Sequence, residues 1–238
     1  MGEMTDEDGV VHRVERVTDT DRIDAIRSAI ASAPVVIADG HHRYAISRTY
    51  RDEMRSANSP LAPAAGLTMT YVAELVEEQL SIAAIHRLIA AVSPSQMEYI
   101  LSEFYQRVSD STLSDNTLTL MNSEKAICLV RPDGSTTLFT EKTEKFSEVR
   151  ALDSARLEHA ITTALGSLDA AGISYQHGTH EVLDALTAGN AQCAVLIRPV
   201  SLAEIRRTAD EGLLMPPKST FFTPKLRTGL AMRPLTAG

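Results

Sequence analysis

Residues 39–43 read Asp-Gly-His-His-Arg, and these side-chain types can bind and move charge at a phosphate. They follow the apolar run Val35–Ala38. The sequence predicts a helix that begins at His41 and continues beyond Arg43. The start of a helix has unpaired backbone N–H groups and a partial positive charge, so it favours an anion. Arg43 adds a guanidinium that can form two hydrogen bonds with a phosphate or a carboxylate. The candidates for proton transfer are Asp39, His41 and His42.

A purely structural explanation of the same residues stays open. In that explanation Gly40 only makes a turn, and the two histidines are surface or capping groups. A metal site fits less well, because adjacent histidines on a helix point apart and no carboxylate lies at a matching spacing. No metal-binding residues are therefore predicted.

A second candidate lies in residues 213–230, where cations and hydroxyls stand among three prolines in an otherwise acidic chain. A phosphate clamp is one interpretation, although the glycine-rich start of a P-loop is missing. The alternative is a rigid segment whose Phe221 and Phe222 pack in the core. The candidate ligand-binding residues here are Lys218, Ser219, Thr220, Lys225 and Arg227.

The pair His86-Arg87 interrupts the apolar run of residues 82–92. Burying two polar side chains costs stability unless they are paired or reach a site. Either the pair contributes to a ligand site, or it lies on an exposed edge strand. His177 and His180 have a spacing of three residues, but the glycine between them favours the start of a helix over a metal site.

The elements that must position these residues follow from periodicity and capping signals. Buried or extended strands are predicted at 35–38, 67–75, 80–88, around 173–175 and at 192–197, and a hairpin at 126–131 and 135–140. Helices are predicted after Thr18 or Asp19, Gly40, Ser93, Asp153, Gly178 and Ser201, with Leu152 as an apolar staple before the cap Asp153. The class is α/β or α+β, with a mixed sheet flanked by helices and with β-hairpins. We expect one compact domain over residues 1–238, divisible into lobes 1–145 and 146–238.

Composition excludes several kinds of protein. The chain has 238 residues and a net charge of −8, which argues against a broad basic face for duplex DNA or RNA. Aromatic residues are 5% of the chain and Trp is absent, so base-stacking platforms are not expected. Cys128 and Cys193 lie in apolar runs and are predicted to be buried thiols. The acidic start and the lack of a long apolar stretch predict a soluble, cytoplasmic protein without a membrane partner.

Three segments, taken together, resemble one family. ADGHHRY (38–44), IHRL (85–88) and MPPKSTFFTPKLRTGL (215–230) are similar in order and spacing to the domain of unknown function 1015, over nearly the whole chain. Members of that family usually have a further N-terminal portion with a Pro-Tyr-Asp segment. The resemblance therefore implies a truncated member or a C-terminal portion, without any group that the further portion supplies.

The turn at residues 39–43 is also similar to the glycine-to-arginine turn of the ParB and sulfiredoxin superfamily, which includes a free-serine kinase. That likeness implies that Gly40, His41, His42 and Arg43 hold nucleotide phosphates, with ATP or ADP and Mg²⁺ as cofactors. The predicted function is phosphate or nucleotide binding, with phosphoryl transfer to a serine-like substrate. One alternative is a sensor of a phosphorylated metabolite, and another is a ParB-like protein associated with nucleic acid. A homodimer is also left open.

Overall fold

The computed structural model describes residues 2–7, 9–76, 80–213, 215–216, 218–223 and 229–235. The chain divides into two compact units. The first unit contains residues 1–74 and 224–238, and the second contains residues 75–223. The lobe boundary predicted near residue 145 falls inside the second unit, and the single domain with lobes 1–145 and 146–238 stays a prediction.

The first unit contains a short antiparallel ladder and three helices. Its elements are β1 (Gly2–Thr5), β2 (Val11–Val14), α1 (Thr20–Ala31), α2 (His41–Ser56) and α3 (Ala62–Ala65). β1 pairs with β2. Asp19 caps α1 as predicted, since its Oδ1 accepts a hydrogen bond from the N–H of Arg22 at 2.9 Å. The sequence LAPAAG (61–66) predicts a loop, but residues 62–65 form α3, because alanine favours a helix and proline is tolerated in a first turn.

The prediction of a strand buried on both faces at Val35–Ala38 is wrong. Residues 35–38 belong to no strand, and Val35, Val36 and Ile37 are 60%, 43% and 38% exposed. The same holds for residues 67–74, which were expected to be extended and lie outside any strand. A strand is buried on both faces only within a sheet that other elements cover on each face. Within the described part of the first unit, β1 and β2 pair only with each other.

The second unit holds the remaining elements. In chain order they are β3 (Ser81–Ala83), β4 (His86–Ile89), α4 (Pro94–Phe104), β5 (Tyr105–Thr112), α5 (Thr117–Glu124), β6 (Ala126–Val130), β7 (Ser135–Glu141), α6 (Asp153–Leu165), β8 (Ile173–Gln176), α7 (Thr179–Thr187), β9 (Cys193–Leu196), α8 (Leu202–Asp210) and β10 (Phe221–Thr223).

Six of these strands form one sheet in the order β5-β7-β6-β9-β4-β8, and β3 pairs separately with β10. Each pair described is antiparallel. The predicted hairpin is confirmed as β6 and β7, where Ala126 lies opposite Thr140 and Gly134 turns the chain with a φ of +78°. The predicted class, a sheet flanked by helices and containing hairpins, is confirmed, but the described strands of this sheet pair antiparallel where a mixed sheet was predicted.

Helices cover both faces of this sheet. Ile127 and Leu129 of β6 pack in one apolar cluster with residues of α4 and α6. Cys128 and Val130 of the same strand pack in the opposite cluster with residues of α5 and α7. This alternation is the two-residue period of a strand buried on both sides.

The two cysteines are buried and unbridged, as the sequence predicts. Burial raises the pKa of Cys128 and of Cys193 to about 12, so both thiols stay protonated at neutral pH. Among the described residues, no helix combines the length and apolar character needed to cross a bilayer.

Candidate functional site

The start of α2 is a turn at Gly40. Gly40 is the N-terminal cap, with a φ of +87° and no side chain to cap the helix. The first helical hydrogen bond runs from the N–H of Tyr44 to the oxygen of Gly40 at 2.9 Å. The N–H groups of His41, His42 and Arg43 therefore precede the hydrogen-bond ladder of the helix. The turn and the helix predicted from the sequence are confirmed.

The guanidinium of Arg43 lies over this turn. A methyl group added to the Cα of Gly40 would come within 3.0 Å of Nη2 of Arg43. The same Nη2 is 3.6 Å from Oδ2 of Asp39, whose Oδ1 accepts a hydrogen bond from the N–H of Gly40 at 2.8 Å. The Arg43 and Asp39 side chains are 81% and 53% exposed, so water weakens this ion pair and leaves the cation accessible.

The two histidines of the turn are exposed. Either imidazole is therefore accessible to a ligand at the start of the helix. The proton-transfer roles of His41, His42 and Asp39 stay predictions.

A different arrangement surrounds Arg87 in the second unit. Arg87 is completely buried on β4, which lies between β9 and β8, so the alternative of an exposed edge strand is wrong. Its Nη1 donates to the carbonyl oxygens of Ile85 and Lys218 at 2.5 Å and 3.0 Å, and its Nη2 donates to Oε1 of Glu158 at 3.0 Å. The guanidinium carbon is 5.0 Å from the centre of the Tyr175 ring. Arg87 is therefore fixed by an acid, two carbonyls and an aromatic ring.

Arg87 anchors a strained piece of backbone. Lys218 has a φ of +57°, in the left-handed region that residues other than glycine seldom adopt. Its carbonyl accepts from Arg87, and the next residue, Ser219, is buried with Oγ 2.9 Å from Oγ of Ser154. The Lys218 side chain itself is exposed, and Thr220 is half-buried.

Two phenylalanines of this segment pack as the structural interpretation expects. Phe222 is buried, and Phe221 stacks on the His177 ring with 3.7 Å between the ring centres. Lys225 and Arg227 lie outside the described residues, and their ligand-binding role stays a prediction.

His86 lies inside the second unit. It is 2% exposed, and its Nδ1 accepts a hydrogen bond from the N–H of Ile197 at 3.3 Å. Burial, followed by the positive charge of Arg87 and the neighbouring His177, lowers the pKa of His86 to about 4. The imidazole is therefore neutral at pH 7 and contributes packing and a hydrogen bond but no charge.

The structure divides the predicted site residues between the units. Residues 39–43 belong to the first unit, whereas His86, Arg87, Lys218, Ser219 and Thr220 belong to the second. Within the second unit Arg87 is brought to Lys218, although the two are far apart in sequence.

One polar pair was not predicted. Arg198 donates from its backbone N and its Nε to Oδ2 of Asp153, each at 2.9 Å, and from Nη2 to Oδ1 at 2.6 Å. Both residues line a cavity of about 200 Å³ at the start of α6. Asp153 was expected to cap α6, but Leu152 occupies the cap position, and Asp153 pairs with Arg198 from the first helical turn. Arg198 directly follows an apolar strand, a signal that the sequence did contain.

No metal-binding cluster is found in the described ranges, where no three His, Cys, Asp or Glu side chains are grouped suitably.

The chain was compared with known proteins. The family described as "Protein of unknown function (DUF1015)" matches residues 1–155. A search of the curated proteins gives no match. Among solved structures, a conserved hypothetical protein from Pyrococcus furiosus is 12% identical, with 87% of this chain and 84% of that chain covered and a TM-score of 0.46.

Two further solved structures are similar over the same share of the chain. A free serine kinase in complex with AMP is 10% identical, with 87% of this chain and 81% of that chain covered and a TM-score of 0.44. SbnI with a C-terminal truncation, from Staphylococcus aureus, is 17% identical, with 87% and 77% covered and a TM-score of 0.41. At these identities and scores, the chemistry of this chain has to be argued from its own residues.

Proposed function

We propose that this chain, which belongs to the DUF1015 family of proteins of unknown function, binds the phosphate group of a small metabolite or nucleotide at the start of α2. The observation that carries the proposal is the position of the Arg43 guanidinium over the uncapped turn at Gly40. Backbone N–H groups at a helix start and a guanidinium beside them are both donors that suit a phosphate.

Binding would exchange one partner of Arg43 for another. In the free protein the guanidinium faces Oδ2 of Asp39 at 3.6 Å, a distance longer than a normal hydrogen bond. A phosphate oxygen can approach within hydrogen-bond distance and accept two bonds from the same guanidinium. Asp39 stays in place during this exchange, because its other oxygen holds the N–H of Gly40.

The more specific proposal is phosphoryl transfer from a nucleoside triphosphate to a serine-like hydroxyl. The bond between the γ-phosphorus and its bridging oxygen breaks, a bond to the substrate oxygen forms, and the hydroxyl proton passes to Asp39 or to one of the two histidines. Such a transfer needs mainly positioning and neutralised charge. Mg²⁺ bound with the nucleotide would supply further charge neutralisation, and Asp39 is the carboxylate at this turn that would face it.

A second candidate is a sensor that binds the same group without chemistry. The exposure of the turn favours this candidate, since Arg43 and Asp39 are 81% and 53% exposed and phosphoryl transfer is helped by exclusion of water. The ParB-like alternative has less support, because the first unit contains 12 acidic and 11 basic residues and so offers no basic excess for a nucleic acid.

The test is calorimetric titration of the whole chain with pyrophosphate, ADP and ATP, with and without Mg²⁺. Arg43→Ala should weaken binding about ten-fold or more, because a hydrogen bond to a charged group contributes about 1.5–3 kcal/mol. Arg48→Ala is the matched control, since Arg48 is another exposed arginine of α2, and it should bind like the wild type.

Two results would contradict the proposal. If none of the three ligands binds at millimolar concentration, the phosphate site is wrong. If Arg43→Ala binds as tightly as the wild type, the site is not at α2. Phosphorus NMR with ATP and serine then separates the two candidates, because formation of phosphoserine requires an enzyme and tight binding without turnover favours the sensor.

A further inference from the structure

A cavity of the second unit lies along one face of α8. Its volume is about 560 Å³, which is within the range of small-molecule sites in proteins. The residues that line it include Leu75, Val76, Leu202, Ala203, Arg206 and Asp210. All six belong to the second unit, so one compact unit forms the cavity, and none of them is a residue of the turn at the start of α2.

One face of α8 supplies most of this lining. Leu202, Arg206 and Asp210 follow one another at intervals of four residues, so their side chains lie on the same face of the helix. The buried residues of α8, Ile205 and Thr208, lie on another face and fix the helix against the core. The side chains that line the cavity are therefore held by a helix whose packing does not depend on them.

The apolar part of the cavity is aliphatic. Leu75, Val76 and Leu202 are half-buried, and the part of each side chain that stays open lines the cavity. We call these three residues the aliphatic floor. Ala203 beside them is small and exposed, so it leaves space above the floor. An aliphatic group that covers this floor is stabilised there by the release of water from both surfaces.

Two charged side chains of opposite sign line the cavity and have no partner. Arg206 and Asp210 are exposed, and neither side chain forms an ion pair or a hydrogen bond within the described part of the chain. Opposite charges four residues apart on a helix commonly pair with each other. Arg207, which also lines the cavity, is different, because Glu204 and Glu211 hold its guanidinium at 2.9 Å and 3.8 Å.

We propose that this cavity binds a free α-amino acid with an aliphatic side chain. The carboxylate of the ligand accepts two hydrogen bonds from the Arg206 guanidinium, and its ammonium group donates to the Asp210 carboxylate. Its side chain covers the aliphatic floor. The two charged groups of an α-amino acid are attached to one carbon atom. The Cβ atoms of residues four apart on a helix are about 5–6 Å apart, so Arg206 and Asp210 can both reach such a ligand.

The two charges select a zwitterion over ligands of a single charge. A simple carboxylate would bring a second negative charge close to Asp210, and a simple amine would bring a second positive charge close to Arg206. A phosphorylated ligand would meet Asp210 with a larger negative charge still. The site is therefore distinct in its chemistry from the phosphate site proposed at α2, and neither proposal rests on the other.

Calorimetric titration of the whole chain with four small molecules tests the proposal. L-leucine should bind at millimolar concentration or below. The analogue 4-methylpentanoate lacks the ammonium group, and 3-methylbutylamine lacks the carboxylate. Each should bind about ten-fold more weakly than leucine, or less, because one charged hydrogen bond is lost. L-serine should also bind more weakly than leucine, since its side chain covers little of the aliphatic floor.

Two charge-removing variants place the ligand in the cavity. Arg206→Gln and Asp210→Asn should each lower the affinity for leucine about ten-fold or more. Arg107→Gln and Asp184→Asn are the matched controls, because they remove exposed charges of β5 and α7 in the same unit. Both controls should bind leucine like the wild type.

A third variant fills the cavity and keeps its charges. Ala203 is exposed, so Ala203→Trp places a large side chain over the aliphatic floor without entering the core. This variant should lose leucine binding, while its urea unfolding midpoint should stay that of the wild type.

Three results would overturn the proposal: no binding of leucine at millimolar concentration, equal affinity for leucine and 4-methylpentanoate, or wild-type leucine binding by Ala203→Trp. Titration of the same variants with pyrophosphate reports on the start of α2 separately, so a failure of one site is distinguishable from a failure of the other.

Discussion

Arg87 holds the carbonyl oxygen of Lys218 at 3.0 Å across a sequence separation of 131 residues, and Lys218 has a left-handed φ of +57°. A buried cation on the central sheet thus fixes a strained residue of a distant segment. Strain at a residue other than glycine persists only where surrounding contacts hold it, and it occurs often at functional positions. The ligand-binding role of Lys218 stays a prediction.

Replacing Arg87 should destabilise the second unit. Arg87→Met keeps the length of the side chain but leaves Glu158 and the Lys218 carbonyl without their donor, so we expect a loss of about 3 kcal/mol in the free energy of unfolding by urea. Arg107→Met, which removes an exposed ion pair with Asp110, should lower the free energy of unfolding much less than Arg87→Met does, because water screens the pair. Equal losses in the two variants would mean that burial of Arg87 contributes nothing.

Relief of backbone strain is the expected result of Lys218→Gly. Glycine adopts positive φ without steric cost, so the free energy of unfolding should rise by up to about 1 kcal/mol, less the added freedom of the unfolded chain. Lys125→Gly is the matched substitution, since Lys125 has a φ of +53° at the end of α5. If Lys218 also binds a ligand, calorimetry should show weaker phosphate binding by Lys218→Gly alone. If both glycine variants have a lower free energy of unfolding than the wild type, the positive φ at these positions does not store strain.

Because of His86, the free energy of unfolding should decrease as the pH is lowered. Its pKa is about 4 in the folded chain against 6.5 in the unfolded chain, so only the unfolded chain takes up this proton between these values. The contribution of about 3 kcal/mol is fully present above pH 6.5 and is lost as the pH falls to 4.

Urea unfolding at pH 7, 5.5 and 4 measures this effect. His86→Gln should show a shallower fall in stability than the wild type, whereas His180→Gln, at a side chain that is 82% exposed, should follow the wild type. Parallel curves for His86→Gln and the wild type would rule out a contribution from His86.

Gly40→Ala should lower the affinity for pyrophosphate, whereas its effect on thermal stability should be no larger than that of Gly9→Ala. The added methyl group meets the Arg43 guanidinium at 3.0 Å, so the guanidinium must shift by a few tenths of an ångström, and the φ of +87° disfavours alanine by about 1 kcal/mol. Gly9→Ala has a similar backbone cost, with a φ of +79°, but its methyl group meets nothing within 4 Å. Thermal unfolding should therefore shift equally in both variants, while calorimetry should show a loss of affinity for pyrophosphate only in Gly40→Ala. If Gly40→Ala and Gly9→Ala bind pyrophosphate with equal affinity, the position of the Arg43 guanidinium does not contribute to binding.

The sequence by itself determined the local features of this protein. Asp19, Ser93 and Ser201 accept hydrogen bonds from the third residue beyond them, and Gly40 and Gly134 turn the chain where they were expected to. Capping and turning depend on a side chain and a backbone group within a few residues, so the amino-acid order is sufficient to predict them.

Tertiary structure alone decided which polar and apolar residues are buried. His86 and Arg87 are enclosed because β9 and β8 flank their strand. Asp153 is not the cap of α6 but pairs with Arg198. Conversely, Val35–Ala38 has the composition of a core strand but lies exposed, since the described part of the first unit gives it no neighbouring strand. Burial depends on partners that are distant in sequence, and no local pattern names them.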